Sequence, residues 1–183
     1  RQFHSPMKTD KITISDLFEK QRRYLVPLFQ RGYVWTLEDQ WKPLWRDIVN
    51  QVEMLESSDN VLKRQNRKHF LGAVVLSQAS VGVRHVPASE VIDGQQRLTT
   101  LQVLLAAFRD VITPLNNDFL TATLTRLTDN QGPLPDETER FKVWPTNAFR
   151  DDFRSIMTVG SVEALRKKYP SYYYRKKLVP RPL

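Results

Sequence analysis

Val91-Ile92-Asp93-Gly94-Gln95-Gln96-Arg97-Leu98-Thr99-Thr100 is the stretch on which the reading of this chain turns. Val91 and Ile92 end a short strand, and Asp93-Gly94 is a turn pair. Leu98, Leu101, Leu104, Leu105, Phe108 and Ile112 then recur at helical spacing, which predicts a helix from Gln95 to about Ile112, ended by Pro114. A strand, a glycine turn and a helix start in succession leave free N–H groups and the positive end of a helix dipole, an arrangement that can hold a phosphate. Gly94 lets a ligand approach the backbone, and Arg97 can clamp a phosphate through two hydrogen bonds. Asp93 can hold a magnesium ion through water, and Gln95 or Gln96 can orient an attacking water. The plainer reading is that Asp93 caps the helix and Gln96, three residues on, completes an ordinary capping box. The two are compatible, because the same geometry builds a phosphate site.

Upstream, Ile12, Ile14, Leu17 and Phe18 suggest a strand running into a short helix, with Ser15 as N-cap. Tyr24 to Leu28 reads as a short strand. Thr36 with Asp39 marks a helix start, and Leu37, Trp41, Leu44, Trp45, Ile48, Val52 and Leu55 define one expected buried face, with a kink or restart at Pro43. Phe70 to Leu76 is an apolar run that reads as a buried strand. Downstream, Leu115–Leu127 is expected to be a helix with Phe119, Leu120, Leu124 and Leu127 inward, 130–136 a loop, and Phe141–Trp144 a strand. Asn147 and Ser161 can cap two final helices. The fold class is therefore α+β. Residues 1–113 are expected to form one mixed domain and 114–183 a mostly helical extension.

A second segment, Val26-Pro27-Leu28-Phe29-Gln30-Arg31-Gly32-Tyr33-Val34-Trp35, sets Gln30 and Arg31 among aromatic and apolar side chains. Arginine beside aromatics suits a phosphate lying against apolar walls. The alternative is that Phe29, Tyr33 and Trp35 are core and Arg31 pairs with an acid.

The 183 residues carry 28 Lys and Arg against 20 Asp and Glu, a formal charge of +8 that makes a polyanion, with nucleic acid first, the expected partner. Lys63, Arg64, Arg67 and Lys68 cluster, as do Arg166, Lys167, Lys168, Arg175, Lys176, Lys177 and Arg181, the latter among Tyr169 and Tyr172–Tyr174. There is no cysteine, which excludes disulfides, thiolate metal sites and thiol nucleophiles. No uninterrupted apolar run approaches the roughly 18 residues of a membrane span, and the polar first stretch is no signal peptide, so no membrane role and a cytoplasmic location are expected. There is no phosphate loop of the Gly-x4-Gly-Lys-Ser/Thr type. His4, His69 and His85 show no metal spacing, and nothing resembles an HNH nuclease centre. The chain reads as a piece of a longer protein.

Pro27-x-Phe29-Gln30-Arg31-x-Tyr33-x-Trp35, then Phe70-Leu71-Gly72, then Asp93-Gly94-Gln95-Gln96-Arg97-Leu98-Thr99-Thr100-Leu101 together resemble the N-terminal domain family of the GmrSD type IV restriction enzymes, to which the SspE-type proteins also belong. The matches span about Ile12 to Ile112, with weaker likeness at Phe141–Phe153 and at Leu178–Pro182. The resemblance implies a ParB/sulfiredoxin-like small mixed sheet with packed helices. It also implies hydrolysis of GTP or another NTP with Mg2+, coupled to recognition of modified double-stranded DNA. On this basis Asp93, Gln95, Gln96 and Arg97 are the expected catalytic set, with Asp93 the expected metal ligand. Gln30, Arg31, Gly94, Thr99 and Thr100 are the expected phosphate-binding set, and Pro27, Phe29, Arg31 and Tyr33 the expected pocket for the DNA modification. The resemblance implies either glucosylated hydroxymethylcytosine, as in GmrSD-type proteins, or a backbone phosphorothioate, as in SspE-type ones; phosphorothioate is favoured, because a sulfur-substituted phosphate is softer and less hydrated and suits apolar walls beside an arginine. A separate C-terminal HNH-type nuclease domain and homo-oligomerisation are further expectations. Two other classes stay open: a reader of modified DNA that does not hydrolyse nucleotide, and, ranked last for want of clustered carboxylates, a ParB-like nuclease.

Overall fold

The structure is a computed structural model that describes residues 9–57 and 69–170. The basic cluster at 63–68, the Tyr- and Lys/Arg-rich end from 171, and His4 lie outside the described residues. Within them the chain is α+β. Four strands, β1 (Arg23–Leu25), β2 (Val75–Gln78), β3 (Ala88–Asp93) and β4 (Val143–Trp144), form one mixed sheet in the order β2-β3-β1-β4. β1 runs parallel to both β3 and β4, with Tyr24 opposite Ser89 on one side and Val143 on the other. β2 closes the other edge antiparallel to β3, with a register shift between Val75 and Leu76. The helices are α1 (Ile14–Phe18), α2 (Lys42–Glu56), α3 (Gln95–Ile112), α4 (Asp118–Thr128), α5 (Arg150–Thr158) and α6 (Val162–Lys168).

One apolar core joins these elements. Leu98, Leu101 and Ala106 of α3 pack with Phe18, Tyr24, Val91, Phe141, Val143, Phe153 and Met157. Residues on both sides of the expected boundary at 113/114 therefore build the same core, and β4 completes the sheet. The part of the chain beyond 113 is not a separate helical layer, because β1 lacks a second neighbour until Val143–Trp144 arrives. Gln95–Leu115 has the length and mean hydropathy of a bilayer-spanning helix, but here its Leu98 and Leu101 are core side chains.

Several local expectations shift. α1 is capped by Thr13, which forms a full capping box with Asp16, and not by Ser15. Thr36 is an N-cap, but the first turn after it, Leu37–Trp41, is wound as a π-helix before α2 takes over with Pro43 in its first turn. The expected buried face of α2 is largely open: Trp45, Val52 and Leu55 are exposed, and Trp45 meets Phe108 of α3 at 6.3 Å between ring centroids. Periodicity announced an apolar stripe without saying what covers it. Phe70 is exposed and precedes the strand, which starts at Val75. Phe119 and Leu120 face outward at the start of α4, while Leu127 is buried at its end.

Candidate functional site

The three parallel strands point their carboxyl ends at the same edge of the sheet. β3 delivers Asp93 and Gly94, β1 leads into Val26–Arg31, and β4 leads into Pro145 and Thr146. Ligands of open α/β sheets collect outside the carboxyl ends of parallel strands, and a cleft of about 170 Å3 opens there, lined by Gln30, Arg31, Trp35 and the run Asp93–Arg97. A narrower crevice beside it is lined by Val26, Arg31, Tyr33, Gln95, Gln96, Thr99, Pro145 and Thr146. Arg31 borders both.

Gly94 is the residue on which this edge depends. It is the N-cap of α3 at φ 93, ψ 11, in the left-handed region, and makes no side-chain cap. A Cβ there would lie 2.9 Å from Val74 Cγ2 and 3.2 Å from the Ala73 carbonyl oxygen. The capping-box reading of Asp93 and Gln96 is thereby corrected. Asp93 ends β3 with an exposed carboxylate, and the cap position holds a residue with no side chain. No side chain caps the first N–H groups of α3, and the residues that carry them, Gly94 to Arg97, line the cleft.

The two glutamines divide the work. Gln96 is buried, and both ends of its amide are used: Oε1 accepts from the Val34 N–H at 2.9 Å and Nε2 donates to the Gly32 carbonyl at 3.0 Å. It fastens the 30–35 segment to α3. Gln95 Nε2 donates to the Arg31 carbonyl at 3.2 Å, and its Oε1 is left to the cleft. Gln30 is held from the other side, donating from Nε2 to the Val91 and Ile92 carbonyls at 2.7 and 3.0 Å. Its amide thus replaces a missing strand partner at the end of β3.

Arg97 is anchored rather than free. Its Nη1 donates to the Ala73 carbonyl, and the guanidinium lies against Gly72, at φ 104, where any Cβ would meet it at 2.9–3.0 Å. Phe70-Leu71-Gly72 thus serves Arg97: the glycine makes room for the guanidinium. Arg31 is exposed, and its guanidinium has no partner among the described residues, which leaves its five donors free.

Thr99 and Thr100 stand behind the cleft. Thr100 is fully buried and its hydroxyl is paired with Tyr33 Oη at 2.7 Å, so it does not present a donor to a ligand. Thr99 is buried and touches only the narrow crevice. The expected modification pocket is not drawn together either. Tyr33 stacks on Phe149 at 5.0 Å, and burial raises its phenol pKa. Phe29 points away, 86% exposed, and neither it nor Pro27 lines the cleft or the crevice. The core reading of Phe29 fails for the same reason: the turn closed by the Gln30 N–H on the Pro27 carbonyl lifts it off the sheet. Trp35 is half-buried on the cleft wall and belongs to the site, which its aromatic context alone could not distinguish from a core role. Among the described residues no group of three His, Asp or Glu side chains is placed to hold a metal, and Asp93 is the carboxylate on the cleft.

The profile of the GmrSD restriction endonuclease N-terminal domain matches residues 14–179. The chain belongs to this family. Comparison with curated proteins returned no match. Membership makes it a domain of a restriction system, whose enzymes act on DNA, and the match runs unbroken across the expected boundary at 113/114, as the shared core does.

Proposed function

We propose that this GmrSD-type N-terminal domain binds the phosphates of a nucleoside triphosphate, GTP by preference, at the carboxyl edge of its parallel strands. In this reading it hydrolyses the nucleotide in response to modified DNA, phosphorothioate DNA by preference. The sheet is read as the ParB-like one, and a C-terminal HNH-type nuclease domain in the full-length protein would do the cutting. The observation that carries the reading is the convergence on one cleft of the uncapped α3 N-terminus, the unpaired Arg31 guanidinium, the Asp93 carboxylate and the free amide oxygen of Gln95.

Each group has a physical task. The α3 N–H groups and Arg31 would neutralise charge on the phosphates. Gln95 would orient the attacking water, because Gln96 has no free amide atom to do so. Arg97 holds the Gly72–Ala73 segment and would act as a positioning residue. One carboxylate suits Mg2+, which usually keeps several waters and takes its remaining ligands from the phosphates; Asp93 would hold it there and the ion would supply charge neutralisation. A cleft of about 170 Å3 is smaller than the roughly 300–1,000 Å3 of drug-sized pockets, so it fits the phosphates while the base lies outward along Trp35. A non-hydrolysing reader remains the second reading, favoured by the use of Gln30, Gln96 and Arg97 as backbone clamps.

The test is phosphate release from GTP and ATP without DNA, with plain duplex and with phosphorothioate duplex, comparing the native chain with Gln95→Leu. Turnover that rises with phosphorothioate duplex and drops about a hundredfold or more in Gln95→Leu, the size expected for loss of a positioned catalytic group, is the expected result. Undiminished turnover in the variant would overturn the assignment. No turnover in any arm would leave the reader.

A further inference from the structure

Beside the cleft lie two arginines, Arg150 and Arg154, that nothing in the nucleotide reading uses. Trp144, the last residue of β4, stacks on Phe141 at 5.5 Å, and two cations lie over its ring: Arg150 at 5.3 Å and Arg154 at 5.7 Å from the centroid. The pair sits at i and i+4 on α5, one face of one helix. Arg150 Nε also donates to the Pro145 carbonyl at 3.0 Å, and Pro145 with Thr146 forms the crevice that Arg31 borders. Arg31, Arg150 and Arg154 therefore follow one another around the Pro145 corner. Among the described residues none of the three makes an ion pair, although Asp151 and Asp152 lie on the same helix.

Like charges four residues apart on a helix repel. Here they are held side by side by the indole, Arg150 partly buried and Arg154 exposed, with no ion-pair partner among the described residues. An external polyanion is the complement of such a strip, and the formal charge of +8 favours one. Planar guanidinium donors match phosphate oxygens in pairs, and a row of them leading to a phosphate cleft suits a polymer of phosphates better than a single ion.

We infer that Arg150 and Arg154, set on Trp144, contact the phosphate backbone of duplex DNA and lead it to the cleft edge at Arg31. The inference rests on the proposed function for the direction of the track, not for the contact itself.

Fluorescence anisotropy of a labelled short duplex, titrated with the full 183-residue chain between about 50 and 200 mM salt, tests it. Each phosphate contact contributes roughly 0.9 to the slope of log K against log salt. Arg150→Gln/Arg154→Gln is expected to lower the slope by about 1.8, and Arg150→Lys/Arg154→Lys to leave it within error. Because Arg150 and Arg154 help close the core over Trp144, the single change at exposed Arg154→Gln gives an independent reading, an expected drop of about 0.9. Unchanged slopes in both Gln variants would overturn the proposal. A lowered slope with DNA-free GTP turnover intact supports the track beside a working cleft. A lowered slope with no turnover in the native chain sinks the nucleotide reading and leaves the track standing.

Discussion

Replacing Gly94 by alanine tests whether the edge of the sheet is built as described. The geometry imposes two costs. At φ 93 a residue with a Cβ sits in the left-handed region, at roughly 1–2 kcal/mol. The new methyl group would also meet Val74 Cγ2 at 2.9 Å and backbone atoms of Ala73 and Val74 at 3.2 Å, an overpacking strain of about 1–3 kcal/mol. Alanine recovers about 0.4–1 kcal/mol by stiffening the unfolded chain. The net expectation is a loss of about 3 kcal/mol, a large share of the roughly 5–15 kcal/mol that hold a domain together. Gly132 is the internal control. Its φ is 95, but a Cβ there would meet nothing within 4 Å, so Gly132→Ala carries only the backbone cost, about 1 kcal/mol net. Urea unfolding followed by circular dichroism measures both. The expected result is a lower midpoint in both variants at an unchanged slope, with Gly94→Ala losing about 2 kcal/mol more than Gly132→Ala. Equal losses would refute the claim that Ala73 and Val74, just ahead of β2, are in contact with the α3 start at this glycine, and with it the shape of the cleft wall.

Other consequences are smaller in scope. Gln96→Leu removes the two buried fastenings of the 30–35 segment, to Val34 and Gly32; it should cost about 1–3 kcal/mol and expose the segment to limited proteolysis, whereas Gln95→Leu, which loses one exposed bond to the Arg31 carbonyl, should cost less and leave the segment protected. Asp129 is nearly buried between Arg109 and Arg140 at 3.0 and 2.8 Å, so Asp129→Ala, which leaves Arg109 with Asp110 as its remaining carboxylate, should lower stability by about 1–3 kcal/mol in urea unfolding. Burial pushes the Lys142 ammonium down to about 8, with nearby Asp129 opposing the shift. The folded state therefore holds fewer protons than the unfolded one between about pH 8 and the unfolded value near 10.4. Stability should rise with pH across that window, by up to about 3 kcal/mol, and the rise should be absent in Lys142→Met. Burial of the Tyr24 and Tyr33 phenols raises their pKa values, so each releases its proton more readily when unfolded and reverses the trend above about pH 10.

What was legible in the sequence had local causes. The strand, Gly94 turn and helix of 91–112 stand where the pattern put them, because the period-3.6 leucines and the glycine act over a few residues. The caps at Thr36, and at Ser161, whose hydroxyl accepts from the Ala164 N–H, were legible for the same reason. What was hidden depends on partners far along the chain. Gln96 looked like a capping residue or a catalytic amide until Gly32 and Val34, more than sixty residues earlier, took both ends of it. Arg97 looked like a phosphate clamp until Ala73 took one of its donors. Lys142 carried no signal in the sequence, yet it is almost fully buried, donating to the Lys20 carbonyl and to Asn130 Oδ1 at 2.9 and 3.0 Å. The boundary expected at 113/114 followed the helical pattern after Pro114, which could not show that the strand expected at Phe141–Trp144 would pair with β1 as its second neighbour.

The same division explains the site. Residues 93–97 are adjacent in sequence, so their grouping needed no fold. Which of them meets a ligand did, because a polar side chain near a cleft either holds the backbone or is free to act, and only its distant partners decide. Gln30, Gln96 and Arg97 hold backbone carbonyls or N–H groups. Arg31, Asp93 and the oxygen of Gln95 are left over, and these three span the cleft from β1 to α3. A buried amide bonded at both ends costs stability when removed, whereas one with a single exposed bond and a free oxygen costs mainly chemistry. Thermal stability and turnover should therefore separate across the two glutamines: Gln96→Leu should lower both, and Gln95→Leu mainly turnover.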